Sequence, residues 1–105
     1  MKNISVKELK KLIDEKKDFQ LIDVREPFEF EIANMGGELI PMATIPQKLA
    51  AIAKDKMVII HCKSGGRSGR IIEYLEDNHD FDNLYNLAGG ITAWANEIDT
   101  TVAKY

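Results

Sequence analysis

MVIIHCKSGGRSGR, residues 57–70, passes from an apolar run through a glycine-bearing loop into a helical pattern. Met57 to Ile60 is unbroken and carries β-branched residues, the pattern of a strand buried on both faces. Lys63 to Ser68 is small, basic and glycine-containing. Ile71, Ile72 and Leu75 then recur at helical spacing, which predicts a helix from about Arg67 to Asn78. The only cysteine, Cys62, therefore falls where a strand gives way to a helix N-terminus.

That placement has a chemical consequence. Glycines let consecutive backbone N–H groups turn inward, and the first turn of a helix leaves its N–H groups without partners, so the two together favour a negative charge. A thiol there ionises more readily than free cysteine. Between His61 and Arg70 the chain has Lys63, Arg67 and Arg70 but no acid, although the whole protein carries a net charge of −3. A basic loop in a mildly acidic protein points to an anionic reactant, with Cys62 as the nucleophile. A cysteine at a strand end is often only a small buried hydrophobe, but such a residue has no use for two adjacent glycines and a nearby arginine.

Working outward, 105 residues that are 45% hydrophobic and 30% charged suit one domain, residues 1–105, with one core. The N-terminus lacks the apolar run of a signal peptide, and no segment approaches the length of a membrane span. A lone cysteine allows no internal disulfide, which fits a reducing cytoplasm. The lysines of the first helix alternate with acids as on a solvated face, which argues against nucleic acid as a partner. Metal-ligand spacings such as Cys-x-x-Cys are missing, so no zinc site is expected.

Ser5-Val6-Lys7-Glu8 reads as a capping box and Ile4 with Leu9 as a hydrophobic staple, which predicts a helix from about Val6 to Glu15. Phe19 to Val24 reads as a second buried strand. In an open α/β sheet the ligand crevice lies beyond the carboxyl ends of the strands, which places Asp23 and Arg25 on the rim shared by Cys62. Phe28, Phe30 and Ile32 alternate as in a strand, whereas Pro27 and the glutamates suit a helix start. Glu38 to Pro41 is a short edge-like strand. Thr44-Ile45-Pro46-Gln47 looks like another capping box, opening a helix to about Lys54 with Leu49, Ile52 and Ala53 facing in. Leu84 to Leu87 is a last strand, and Gly89-Gly90 leads into a helix with Ile91, Trp94, Ala95 and Ile98 on its buried face. Alternating strands and helices imply a central parallel sheet with helices on both faces.

Cys62-Lys63-Ser64-Gly65-Gly66-Arg67-Ser68 resembles the active-site loop of rhodanese-like sulfurtransferases, a cysteine and an arginine separated by four residues. Leu21-Ile22-Asp23-Val24-Arg25-Glu26-Pro27 is similar to that family's strand end, and Asn86-Leu87-Ala88-Gly89-Gly90-Ile91-Thr92-Ala93-Trp94 to its closing glycine turn and helix. Ala33 to Pro41, with the ending from Ala93 through Lys104-Tyr105, looks like the rhodanese domain at the C-terminal end of ubiquitin-activating-like enzymes that serve sulfur carriers. The resemblance implies an α/β rhodanese-like fold with about five parallel strands and a short helix at Glu26 to Met35. It implies sulfur transfer through a Cys62 persulfide, with Lys63, Ser64, Gly65, Gly66, Arg67 and Ser68 as the anion-binding loop and Asp23 and Arg25 in support. No cofactor or metal is expected. The expected partners are a small anionic sulfur donor and a thiol, cyanide or carrier-protein acceptor, handled by a monomer. The family often has a histidine where this chain has Asn34.

Two other classes stay open. Phosphatases and arsenate reductases of related fold also place a cysteine and an arginine around an anion nest, but their loops are one residue longer and fit a tetrahedral oxyanion. Non-catalytic family members typically lack the cysteine, whereas this chain keeps both Cys62 and Arg67. His61 neighbours Cys62 on a strand and points to the opposite face, so it is not cast as a base. His79 is expected in an exposed polar turn.

Overall fold

Ser5 caps the first helix as the sequence predicts. The Glu8 N–H donates to Ser5 Oγ at 3.1 Å and the Ser5 N–H to Glu8 Oε1 at 3.1 Å, so two otherwise orphaned donors are satisfied reciprocally. The computed structural model describes residues 1–105. In chain order the elements are β1 (Lys2–Ile4), α1 (Val6–Asp14), β2 (Phe19–Asp23), α2 (Pro27–Ile32), β3 (Glu38–Leu39), β4 (Met57–His61), α3 (Gly66–His79), β5 (Leu84–Leu87) and α4 (Gly90–Glu97). The five strands form one sheet in the order β1-β5-β4-β2-β3, with every pair parallel. No helix is long and apolar enough to cross a membrane.

The alternation of side chains along the central strands divides the core between the two faces. Val58 and Ile60 of β4 pack with Ile22, Leu84, Ile71, Ile72 and Leu75 on the α3 side. Ile59 packs with Val6, Leu9, Leu87 and Trp94 on the α1 and α4 side. Helices thus cover both faces, and Trp94 is a core residue, as its spacing predicts. Leu9, Ile60, Ile72 and Leu75 are fully buried, and truncating any of them to alanine is expected to destabilise by about 2–5 kcal/mol.

Two segments depart from the sequence reading. Lys2–Ile4 pairs with β5, Lys2 opposite Tyr85 and Ile4 opposite Leu87; three residues are too few for a periodic signal. The helix expected from Thr44 to Lys54 is absent. Met42–Gln47 and Leu49–Ala51 form two short 3₁₀ turns with a break at Lys48, and the Thr44 hydroxyl donates back to the Pro41 carbonyl at 2.8 Å rather than capping a helix. Side chains distant in sequence take the backbone groups a helix would use. Gln20 Nε2 donates to the Ala51 carbonyl at 2.7 Å, the Ala53 N–H donates to Gln20 Oε1 at 2.8 Å, and Asn83 Nδ2 donates to the Ala53 and Lys56 carbonyls at 2.8 and 2.7 Å. The bend lets Ile45 and Ile52 both enter the core, while Leu49 and Ala53 stay half-buried. His79 differs as well: it closes α3, half-buried, with its ring nitrogen 3.0 Å from the Tyr74 hydroxyl.

Candidate active site

Cys62 follows β4 on the face of Val58 and Ile60, so its side chain turns toward α3. Gly65 takes φ +111°, a left-handed conformation that L side chains rarely adopt, and this reversal aims the loop amides at the sulfur. The Gly65 N–H donates to Cys62 Sγ at 3.1 Å and the Ser68 N–H at 3.4 Å, with the Ser64 amide adding to them. Cys62 is only 1% exposed and borders the apolar core, yet its sulfur faces amide hydrogens, as expected from the sequence. Burial raises the thiol's pKa, but the hydrogen bonds from Ser68, Gly65 and Ser64 outweigh it, and the net shift is downward.

Ser68 contributes less freely than its position suggests. Its single hydroxyl proton has Asn86 Oδ1 at 2.6 Å, the Gly65 carbonyl at 3.3 Å and Cys62 Sγ at 3.4 Å as competing acceptors. The shortest bond holds the proton, so the backbone amides are the steady stabilisers of a thiolate. Asn86 also donates from Nδ2 to the Gly65 carbonyl at 3.1 Å, tying the loop to β5. From below, the first turn of α4 holds the loop: the Ile91 N–H donates to the Cys62 carbonyl at 3.0 Å and the Thr92 N–H to the Lys63 carbonyl at 3.1 Å. Gly90 permits this approach, because a Cβ there would stand 2.5 Å from both carbonyl oxygens.

A charged frame stands beside this nest. Arg25 is fully buried and uses every guanidinium donor: Nε and Nη2 go to Asp23, Nη2 also to the Ala33 carbonyl, and Nη1 to the Glu29 carbonyl and the Tyr105 hydroxyl. Burial works against its charge, but the Asp23 and Tyr105 bonds more than compensate. Arg67 makes a two-pronged pair with Glu29, at 2.7 Å to Oε1 and 2.9 Å to Oε2. Glu29 also receives the Glu26 N–H at 3.0 Å and the Tyr105 hydroxyl at 2.7 Å. The Arg67 bonds, opposed by burial and joined by the other donors, hold its carboxyl down to about 2.

The sequence reading brings together Asp23, Arg25 and Cys62 to Ser68 on one rim, and the structure places all of them there. Arg67 points at Glu29 rather than at the sulfur. Lys63 lays its ammonium 4.4 Å from the centre of the Tyr105 ring. Arg70 is exposed beside a groove of about 470 Å³ walled by Met42, Ala43, Pro46, Ile71 and Tyr74. His61 lies on the opposite face from Cys62, fully buried, its Nε2 3.7 Å from Asp23 Oδ2, and burial keeps it neutral-leaning. Asn34 accepts from the Gly36 N–H at 2.9 Å and donates to the Phe30 carbonyl at 3.2 Å, which makes it a turn-forming residue in this chain.

Three residues of the site escaped the sequence reading. Glu29 reads in the sequence as one of several glutamates at a helix start, and its position between two aromatics gives no sign of burial. Asn86 could have been noticed as the one polar side chain in an apolar strand. Tyr105 enters the sequence reading only through the resemblance of the Lys104-Tyr105 ending, and nothing in the sequence ties it to Arg25.

The comparisons agree with this geometry. A family model described as the rhodanese-like domain matches residues 5–97. The chain is 32% identical to the probable adenylyltransferase/sulfurtransferase MoeZ of Mycobacterium tuberculosis over 97% of its own length, and it spans only 26% of that relative. It is 37% identical to the putative sulfurtransferase YtwF of Bacillus subtilis, covering 92% of this chain and 93% of the other. The crystal structure of a rhodanese-like domain protein from Staphylococcus aureus superposes with a TM-score of 0.83 at 35% identity, covering 100% of this chain and 99% of that one. With a parallel α/β sheet, a cysteine loop of the expected length and these relatives, the chain belongs to the rhodanese-like family.

Proposed function

We propose that residues 1–105 act as one sulfurtransferase unit in which Cys62 carries sulfane sulfur as a persulfide. The observation that carries this reading is the convergence of loop amides on Cys62 Sγ, at 3.1 Å from Gly65 and 3.4 Å from Ser68. In the first step the Cys62 thiolate attacks the outer sulfur of an anionic donor such as thiosulfate. The new S–S bond forms as the donor's own S–S bond breaks, and sulfite leaves with the bonding electron pair. The amides of the 63–68 loop stabilise the charged terminal sulfur. In the second step a thiolate, free or borne by a partner protein, or cyanide attacks that sulfur, the persulfide bond breaks with its electron pair going to Cys62, and the Cys62 thiolate is restored.

The relatives named as sulfurtransferases support transfer chemistry, and the adenylyltransferase/sulfurtransferase relative favours a carrier protein among the acceptors. The loop residues Ser64 and Gly66 are exposed around the buried Cys62, which is where a small donor would approach, and a groove bordered by Glu26 and Arg70 lies along α3. A reducing compartment suits the single thiol. Incubation with thiosulfate followed by intact-protein mass spectrometry tests the reading. One added sulfur, about 32 Da, is expected on the wild type and none on Cys62→Ala, with removal by a thiol reductant. A wild type that gains no mass from thiosulfate or from a low-molecular-weight persulfide overturns it.

A further inference from the structure

Lys63 differs from the other cation of its loop. Arg67 is paired with Glu29, whereas none of the ion pairs in the molecule includes Lys63. What lies against its ammonium is the Tyr105 ring, at 4.4 Å from the centroid, within the range of a cation–π contact. The hydroxyl of the same ring accepts from Arg25 Nη1 at 2.8 Å and donates to Glu29 Oε2 at 2.7 Å. One end of Tyr105 is therefore bonded to the buried frame, and its face bears a lysine that pairs with no Asp or Glu side chain. A lysine has a long flexible stem and spreads its charge over a wide arc when nothing holds the head group. Beside this contact, a cleft of about 120 Å³ is lined by Lys63, Thr92, Lys104 and Tyr105 among others, with no Asp or Glu side chain in its wall.

We infer that Tyr105 is a positioning residue for charge selectivity: anchored by its hydroxyl to Arg25 and Glu29, its ring holds the Lys63 ammonium beside the Cys62 loop, where it favours anionic over neutral reagents. The inference rests on the Cys62 loop being the reacting site, and it assigns discrimination between reagents to a residue far outside that loop. Tyr105 is 36% exposed and contributes to neither apolar cluster, so its replacement is expected to leave the fold intact.

The test compares the rates at which iodoacetate, an anion, and iodoacetamide, its neutral analogue, alkylate Cys62. Tyr105→Ala is expected to lower the iodoacetate-to-iodoacetamide rate ratio about threefold, an effect that shrinks at high salt. Tyr105→Phe keeps the ring but loses the hydroxyl anchor to Arg25 and Glu29, so its ratio is expected between those of the wild type and Tyr105→Ala. In a double-mutant cycle, Tyr105→Ala on a Lys63→Ala background should lower the ratio no further, because the two residues act through one ammonium. An unchanged ratio in Tyr105→Ala, or an equal fall with and without Lys63, overturns the inference. Alkylation needs no sulfur transfer. The expected ratios in a protein that gains no sulfur from thiosulfate would leave the positioning role standing while removing the transferase reading.

Discussion

Two polar regions meet at the C-terminal rim of the sheet, and they handle charge in opposite ways. Around Cys62 the donors within reach of the sulfur are neutral: backbone amides of Gly65 and Ser68, and a hydroxyl shared with Asn86. Around Arg25 and Arg67 every cation is matched by a carboxylate, Asp23 in one case and Glu29 in the other. The difference separates two paired arginines from the neutral amides that face the sulfur. The arginines brace the frame that holds the loop, and the amides are the donors that a negatively charged sulfur would meet. An arginine pressed against the thiol would stabilise the thiolate so strongly as to weaken its nucleophilicity, whereas amides at 3.1–3.4 Å stabilise it moderately.

This division can be broken at its common support. Gly90 lies under both Cys62 and Lys63 with φ +57°, and a Cβ there would meet both carbonyl oxygens at 2.5 Å. Gly90→Ala is expected to cost at least about 2 kcal/mol of stability and to abolish transfer, read by thermal melting and the mass-shift assay. Normal melting with full activity would show that α4 does not set the loop.

A narrower change separates the frame from the nest. Glu29→Gln removes the charge facing Arg67 and is expected to destabilise by about 2 kcal/mol, while the pH midpoint of Cys62 alkylation stays close to wild type. A midpoint that moves as far as the stability does would merge the two regions into one. The wild type adds a pH signature. Because the Glu29 carboxyl is held down to about 2 in the folded protein from an ordinary value of 4.5, its contribution is complete above the ordinary value. It is lost as pH falls from there toward the folded one. Denaturant melts across that range should show an acid limb that is flatter in Glu29→Gln.

The smallest effect is expected at Ser68, whose proton is held chiefly by Asn86. Ser68→Ala should raise the alkylation midpoint slightly and cost about 1 kcal/mol through the unpaired Asn86 oxygen. A large rise would mean that the hydroxyl, rather than the amides, carries the thiolate.

Much of this is legible in the sequence. Ser5 and Glu8 announced α1 because a capping box is a local contract among four residues. Met57 to Ile60 announced a central strand because a buried strand is apolar throughout, and the position of Cys62 after it followed from chain order. The segment from Thr44 to Lys54 misled for the opposite reason: its local pattern was helical, but Gln20 and Asn83, distant in sequence, claimed its backbone groups.

By itself the sequence determined which residues form the cysteine loop, which strand leads into it, and that the loop is basic and opens at a helix start, since these depend on neighbours along the chain. Only the tertiary structure decided that Arg67 faces Glu29, that Tyr105 links both ion pairs, and that α4 supports the Cys62 and Lys63 carbonyls. Those outcomes depend on which donors and acceptors the parallel crossovers bring within 3 Å of one another. Hydrogen-bond partners separated by tens of residues leave no periodic mark in the chain.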